Sequence, residues 1–409
     1  MPLCLLVLAI RLWGVTENFW LLRDQTRDWA IVLSDFRDLP LVGPATHVDG
    51  YTIGPAFYWI LWGLRHLFGP FFDDLPHAGG IGQAVLQTVV DGGLLLAIWK
   101  RTRSPWIAVV SAILIMTASY DMSLAQLVWN PVMGSTLAKL ALALVLAEWY
   151  RRSWWQTVAT VAVAWMAVHA YTGAIFVAVT VCAIVVLEPL LLPRMIREQQ
   201  PEPGRPGRPG QPGRDGADGM DMRRGLDVRG AVRRTALTLA TIVLLQVPLI
   251  IHQMRSEPGD QAMGAVTDSV GRILTGQAAP AFATSFHGYF AAMDLLQLRP
   301  ALNSGSMWIL LLAAPFMAWR YRRDPALVAL ALLPQLLAIA GYSFFLGGLE
   351  HYYYLSLMTP FVLTVVAAVM PMTPPSSPRT VQMAGVALCI VALALVPARA
   401  IKSQMGHRM

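Results

Sequence analysis

Charge is scarce in this chain. Only 13% of its 409 residues are Asp, Glu, Lys or Arg, where a soluble domain carries about a quarter. Cysteine is scarcer still. Cys4, Cys182 and Cys389 each lie inside an apolar segment, which excludes a disulfide framework and a cysteine-based metal site. Strict alternation of apolar and polar residues over strand-length segments is missing, which argues against a membrane barrel. No basic stretch precedes Arg11 and no small-residue cleavage site follows it. Pro2–Val15 is therefore read as a short first span rather than a signal peptide.

What the chain has instead is long apolar runs. Hydrophobic residues make up 56% of it, and the runs are bounded by arginine clusters. This pattern predicts an all-α polytopic membrane protein. Candidate spans are 2–15, 80–99, 105–120, 131–149, 154–170, 172–192, 235–251, 306–319, 325–346, 352–370 and 381–397, eleven in all. Lys100–Arg103, Arg151–Arg152, the ten arginines of 193–234, Arg320–Arg323 and Arg379 fall on one side. They hold most of the basic residues, and the positive-inside rule makes that side cytoplasmic. The net charge of +7 is thus topological and implies no nucleic acid. Arg11, Arg23, Arg27, Arg37, Arg65, Arg255, Arg272 and Arg299 fall on the outer side with loops 16–79 and 252–305, while Lys139 falls inside a span.

Within the first outer loop, "GPAFYWILWGLRHLFGPFF" (Gly54–Phe72) has helix length. Counted as a full span it would reverse every later loop against the charge rule. It is read as a juxtamembrane helix, with Tyr58, Trp59, Trp62, Arg65 and His66 suited to an interface. Residues 204–219, "GRPGRPGQPGRDGADG", carry glycine at every third position, a collagen-like pattern. A lone chain with few triplets reads as a cytoplasmic linker. It divides the protein into an N-terminal module (1–192, spans 1–6), a linker (193–234) and a C-terminal module (235–409, spans 7–11).

Loop 16–79 holds eight acids, and two of them fall in "RDQTRD", Arg23–Asp28. Helical spacing puts Asp24 and Asp28 on one face, with Arg23 and Arg27 on the next. A carboxylate can serve as a general base, and a guanidinium can fork onto phosphate. The same four residues could equally be ion pairs closing a short helix. Asp91, in the middle of the second span, is costly in hydrocarbon unless it faces the bundle with a partner.

The stretch from Arg11 to Trp62, with "RDQTRD", "THVDG" and "GPAFYW", resembles the start of GT-C superfamily glycosyltransferases. It is most similar to the branch of protein O-mannosyltransferases and aminoarabinose transferases. Weaker matches follow in order: "LVWNPVMG" with Asn130, "VHAYTG" with His169, and "GGLEHYYYLSLMTPF" with His351 and Tyr352. The resemblance implies a GT-C-like bundle of about eleven transmembrane helices with a juxtamembrane helix. It also implies an inverting glycosyltransferase, active at the extracytoplasmic membrane face, that uses a polyprenyl-phosphate sugar donor. The acceptor would be a glycan, lipid or protein hydroxyl. Asp24 falls on the family's catalytic Asp; Gln25 stands where the family has Glu, and Asp28 where Tyr is common, so Asp24 and Asp28 are both candidate bases. Arg23, Arg27, His47, Tyr58, Asn130, His169, Arg255, His351 and Tyr352 are candidates for phosphate or substrate binding, with Arg272 and Arg299 as further cations.

No cofactor is required by such a transfer. A divalent ion held by Asp24, Asp28 and Asp121 is the lesser alternative. Loop 252–305, with Gly259, Gly264, Gly271 and Gly276, is expected to act as a lid. A secondary transporter and a non-catalytic scaffold are the rival functions.

Overall fold

The computed structural model describes residues 2–13, 23–45, 53–72, 75–191, 228–255, 267–268, 271–277, 279–294, 305–344 and 349–370. Every regular element among the described residues is helical. The α-helices are α1 (Pro2–Leu12), α2 (Arg23–Val32), α3 (Ala56–Phe68), α4 (Leu75–Thr102), α5 (Pro105–Met116), α6 (Ser119–Ser123), α7 (Asn130–Leu146), α8 (Trp154–Ala170), α9 (Ile175–Leu191), α10 (Val228–Arg255), α11 (Phe282–Met293), α12 (Gly305–Arg320), α13 (Pro325–Tyr342) and α14 (Met358–Val369). A 3-10 segment, His351–Leu357, leads into α14.

Ten of the candidate spans coincide with helices; 381–397 and the collagen-like stretch lie outside the described residues. Five segments are long and apolar enough to cross a membrane: Ala78–Thr102, Thr172–Leu190, Val228–Arg255, Pro325–Tyr342 and His351–Val369. Pro2–Leu12, Pro105–Met116, Asn130–Leu146 and Ser306–Arg320 are apolar but shorter. Along α10, Leu239, Val243, Leu244 and Ile250 are exposed, as are Trp308, Leu312 and Trp319 on α12. Bands of exposed apolar side chains of this size suit lipid rather than water.

The helix starts are written locally. Ser104 caps α5 by accepting from the Ile107 amide, Ser153 caps α8 through Gln156, and Asp324 caps α13 through Leu327. Each cap satisfies an amide that the first turn would leave unpaired. Pro105 and Pro325 follow their caps directly, where a missing N–H costs nothing. Each cap also follows one of the arginine clusters. Arg101 reaches across from α4 to grip Asp324 with two nitrogens, one at 2.6 Å, and also pairs with Glu148. This ties the two halves of the bundle together at that end, and charge counting alone did not anticipate it.

Helix α7 is the axis of the fold. It is buried along almost its whole length and packs between α4 and α8. One continuous core runs from Trp29 to Met370. Helix α3 lies across α4 and α8, burying Phe57, Tyr58, Leu61 and Leu64 and leaving Leu67 exposed. That amphipathic docking is what the juxtamembrane reading of Gly54–Phe72 requires.

Two expectations need correction. Arg11 was grouped with the outer loops, but its side chain is fully buried among α1, α4, α6 and α7. It donates to Asp91 at 2.7 Å and to Asp121 at 2.8 Å. Lys139 donates to the other oxygen of each, at 3.1 Å and 2.6 Å. The four side chains close a neutral ring, which is how mid-span charges become tolerable. The second correction concerns loop 252–305. Its residues 282–293 form α11, which buries Tyr289, Phe290 and Met293 against α13 and the 3-10 segment. An anchored helix of this kind is part of the bundle rather than of a loop; Gly259 and Gly264, on which the lid expectation rests with Gly271 and Gly276, lie outside the described residues.

Candidate functional site

The site is assembled on α2 and α3. Helix α2 carries Asp24 and Asp28 at the four-residue spacing that puts them on one side, but at different depths. The Asp24 side chain is 58% exposed, whereas that of Asp28 is only 1% exposed. Arg27 lies between them, 2.9 Å from Asp28 and 3.7 Å from Asp24, and is itself half exposed. From α3, the Tyr58 hydroxyl donates to Asp28 at 3.0 Å. Arg65 donates to the Val32 carbonyl at the end of α2, and Trp29 of α2 is buried. The Gly43 amide bonds the Ile53 carbonyl at 2.9 Å, which closes the connection between the two helices.

The environments of the two carboxylates set different tasks. Burial pushes the Asp28 carboxyl above the usual aspartate range, and the Arg27 charge and Tyr58 hydrogen bond draw it part of the way back. Asp28 therefore holds Arg27 and α3 in place. Asp24 stays open to an incoming molecule. Its charge also reaches the hydroxyl of Tyr352, on the 3-10 segment far along the chain.

The remaining sequence candidates divide clearly. Tyr352 packs edge-on against Trp129 with centroids 5.1 Å apart, and joins the site. Asn130 donates to the Ala170 carbonyl at 3.4 Å and ties α7 to α8. His169 is buried against Gly54: a Cβ added there would stand 2.3 Å from the imidazole Nδ1. It faces Gln246 of α10. Its place is therefore beneath the Gly-Pro entry to α3, as a support. Arg255 and His351 are exposed, at the end of α10 and the start of the 3-10 segment, and form no ion pair with Asp24 or Asp28. Arg272 is likewise exposed. The side chain of Arg23, together with His47 and Arg299, lies outside the described residues.

The set Asp24, Asp28 and Asp121 does not come together. Both oxygens of Asp121 are engaged by Arg11 and Lys139, and Asp28 is engaged by Arg27 and Tyr58. Among the described residues no three His, Cys, Asp or Glu side chains converge on a point that could hold a metal. These residues do not fit a bound divalent ion, and no chemical step here is routed through one.

Against known proteins, the backbone carries more information than the sequence. No protein-family profile matches the chain, and no curated protein matches it by sequence. Its fold superposes on the oligosaccharyltransferase of Archaeoglobus fulgidus. The fold is shared with that enzyme. The apo form aligns with a TM-score of 0.55 at 11% identity, covering 98% of this chain and 55% of that one. The complex with Zn and sulfate gives 0.57 at 12% identity, covering 99% and 52%. The complex with an inhibitory peptide and a dolichol-phosphate gives 0.52 at 11% identity, covering 98% and 55%. The chain thus spans about half the length of these oligosaccharyltransferases. At this identity the likeness is one of fold alone, and it does not single out the aminoarabinose transferase branch.

Proposed function

We propose that this protein is an inverting glycosyltransferase that moves a sugar from a polyprenyl phosphate to an acceptor hydroxyl at the extracytoplasmic membrane face. The observation that carries the reading is the open Asp24 carboxylate 3.7 Å from the Arg27 guanidinium, on a helix tied to α3 by the Tyr58 and Arg65 hydrogen bonds. It stands in a fold shared with an enzyme that was solved with a dolichol-phosphate. Asp24 takes the proton from the acceptor hydroxyl as its oxygen attacks the anomeric carbon. The bond from that carbon to the phosphate oxygen breaks, and its electron pair leaves with the lipid phosphate. Arg27, half exposed, supplies the cation that the departing phosphate needs. Asp28 and Tyr58 keep Arg27 in position. In this reading residues 1–192 carry the reaction, the C-terminal spans close the bundle around it, and the protein crosses the membrane many times.

The closed ring of Arg11, Asp91, Asp121 and Lys139 speaks against a transporter, because each mid-span carboxylate already has two cationic partners. The test is transfer from polyprenyl-phosphate sugars by Asp24→Asn and Asp28→Asn proteins in nanodiscs. Asp24→Asn should lose 100-fold or more, in line with the usual worth of a general base. Asp28→Asn should lose less and retain a measurable rate. Full activity in Asp24→Asn sinks the mechanism.

A further inference from the structure

Within electrostatic reach of Asp24 through Tyr352 lies a group of aromatic side chains that the transfer step itself does not use. Tyr171 ends α8 with an extended backbone, its amide bonded to the Ala167 carbonyl at 2.9 Å. Its ring sits 6.1 Å from Tyr352 and 5.9 Å from Tyr353, and those two stack at 5.0 Å and 23°. Trp129 and Tyr352 are half-buried. Gly173 makes the arrangement possible: a Cβ there would stand 2.5 Å from the Tyr353 carbonyl and 2.7 Å from the Tyr171 ring.

The hydroxyls sort these tyrosines into two kinds. Tyr342 donates to the Tyr353 carbonyl at 3.1 Å, and Tyr289 donates to Gln335. Those two are ordinary core tyrosines with their polar ends satisfied. Tyr171 is only 7% exposed, yet its hydroxyl has no hydrogen-bond partner among the described residues. Buried hydroxyls are nearly always paired, and an orphan costs about 1–3 kcal/mol. A fold that carries this cost next to an open aromatic face and an open carboxylate is arranged for a molecule with both C–H faces and hydroxyl edges. A pyranose ring has both: its C–H face packs on an aromatic ring, and its edge hydroxyls take fixed hydrogen bonds.

We propose that Trp129, Tyr171 and Tyr352 form the subsite for the sugar ring of the lipid-linked donor, with the Tyr171 hydroxyl bonded to a sugar hydroxyl. This rests on the transfer reading above and adds where the sugar sits.

The experiment uses the full chain in nanodiscs and four probes: polyprenyl phosphate carrying mannose, glucose or arabinose, and bare polyprenyl phosphate. Dissociation constants, KM for donor and acceptor, and melting temperature are compared for wild type and Tyr171→Phe. Wild type should bind one glycolipid more tightly than the bare lipid. Tyr171→Phe should lose about tenfold of that affinity, the worth of one hydrogen bond of about 1.4 kcal/mol. Bare-lipid binding should stay unchanged, and the melting temperature should hold or rise, since an orphan hydroxyl has been removed. Tyr352→Ala should also lose glycolipid affinity selectively. Equal glycolipid affinity in Tyr171→Phe overturns the subsite while leaving the transfer reading intact. A change confined to acceptor KM also overturns it, by moving the site to the acceptor. If wild type prefers no glycolipid to bare lipid, the transfer reading falls and the subsite with it.

Discussion

Replacing Tyr58 with phenylalanine removes one hydrogen bond and little volume. The bond runs from the Tyr58 hydroxyl to Asp28 at 3.0 Å, between side chains that are both almost fully buried. A hydrogen bond to a charged group contributes about 1.5–3 kcal/mol. Only the part that favours the ionised over the neutral carboxyl moves its titration, and each pH unit is about 1.36 kcal/mol. Arg27 remains beside Asp28 at 2.9 Å and keeps some of the stabilisation. The net expectation is a rise of about one pH unit, to be read against those two figures. The sign follows from burial. Asp28 already titrates above the usual aspartate range because burial disfavours its charged form. Losing a donor that favours the charged form raises it further. When Asp28 takes a proton its pairing with Arg27 weakens, so the acid limb of kcat/KM should reflect Asp28. The assay is a pH series of donor transfer by wild type, Tyr58→Phe and Asp28→Asn. Tyr58→Phe should shift the acid limb upward, and Asp28→Asn should abolish that component. An acid limb that stays in place or moves downward in Tyr58→Phe would refute the role given to Asp28.

Other consequences can be measured independently. Gly54→Ala drives a methyl to 2.3 Å from His169 Nδ1, an overpacking that costs about 1–3 kcal/mol; the melting temperature should fall, and His169→Ala in the same protein should restore much of it. Arg11→Leu leaves two buried carboxylates facing only Lys139, a break worth about 3–5 kcal/mol. Adding Asp91→Asn rebalances the charge, so the double variant should be more stable than Arg11→Leu alone in thermal denaturation.

Much of the candidate site was legible because its parts are local. The four-residue spacing of Asp24 and Asp28 needs only a helix to bring them to one side, and Arg23–Val32 is helical. Gly54–Phe72 reads as a juxtamembrane helix from its length, its interface-suited residues and the charge rule, and Ala56–Phe68 is helical. Asp91 was expected to face a partner, but nothing in its neighbourhood named Arg11, 80 residues away, or Lys139, 48 residues away. The same holds for Asp24 and Tyr352. Their proximity depends on how the 3-10 segment before α14 packs on α7.

The sequence by itself determined the apolar helical character of the molecule, the positions of its long apolar helices and the spacing of the two aspartates, because hydropathy, caps and helical period act within one or two turns. Only the tertiary structure decided which aspartate is open and which is buried, and which mid-span charges cancel. It also decided that the Tyr171 hydroxyl lies beside Tyr352 and Tyr353 without a partner among the described residues. Exposure and pairing are properties of the surroundings, and here those surroundings come from helices widely separated in the chain.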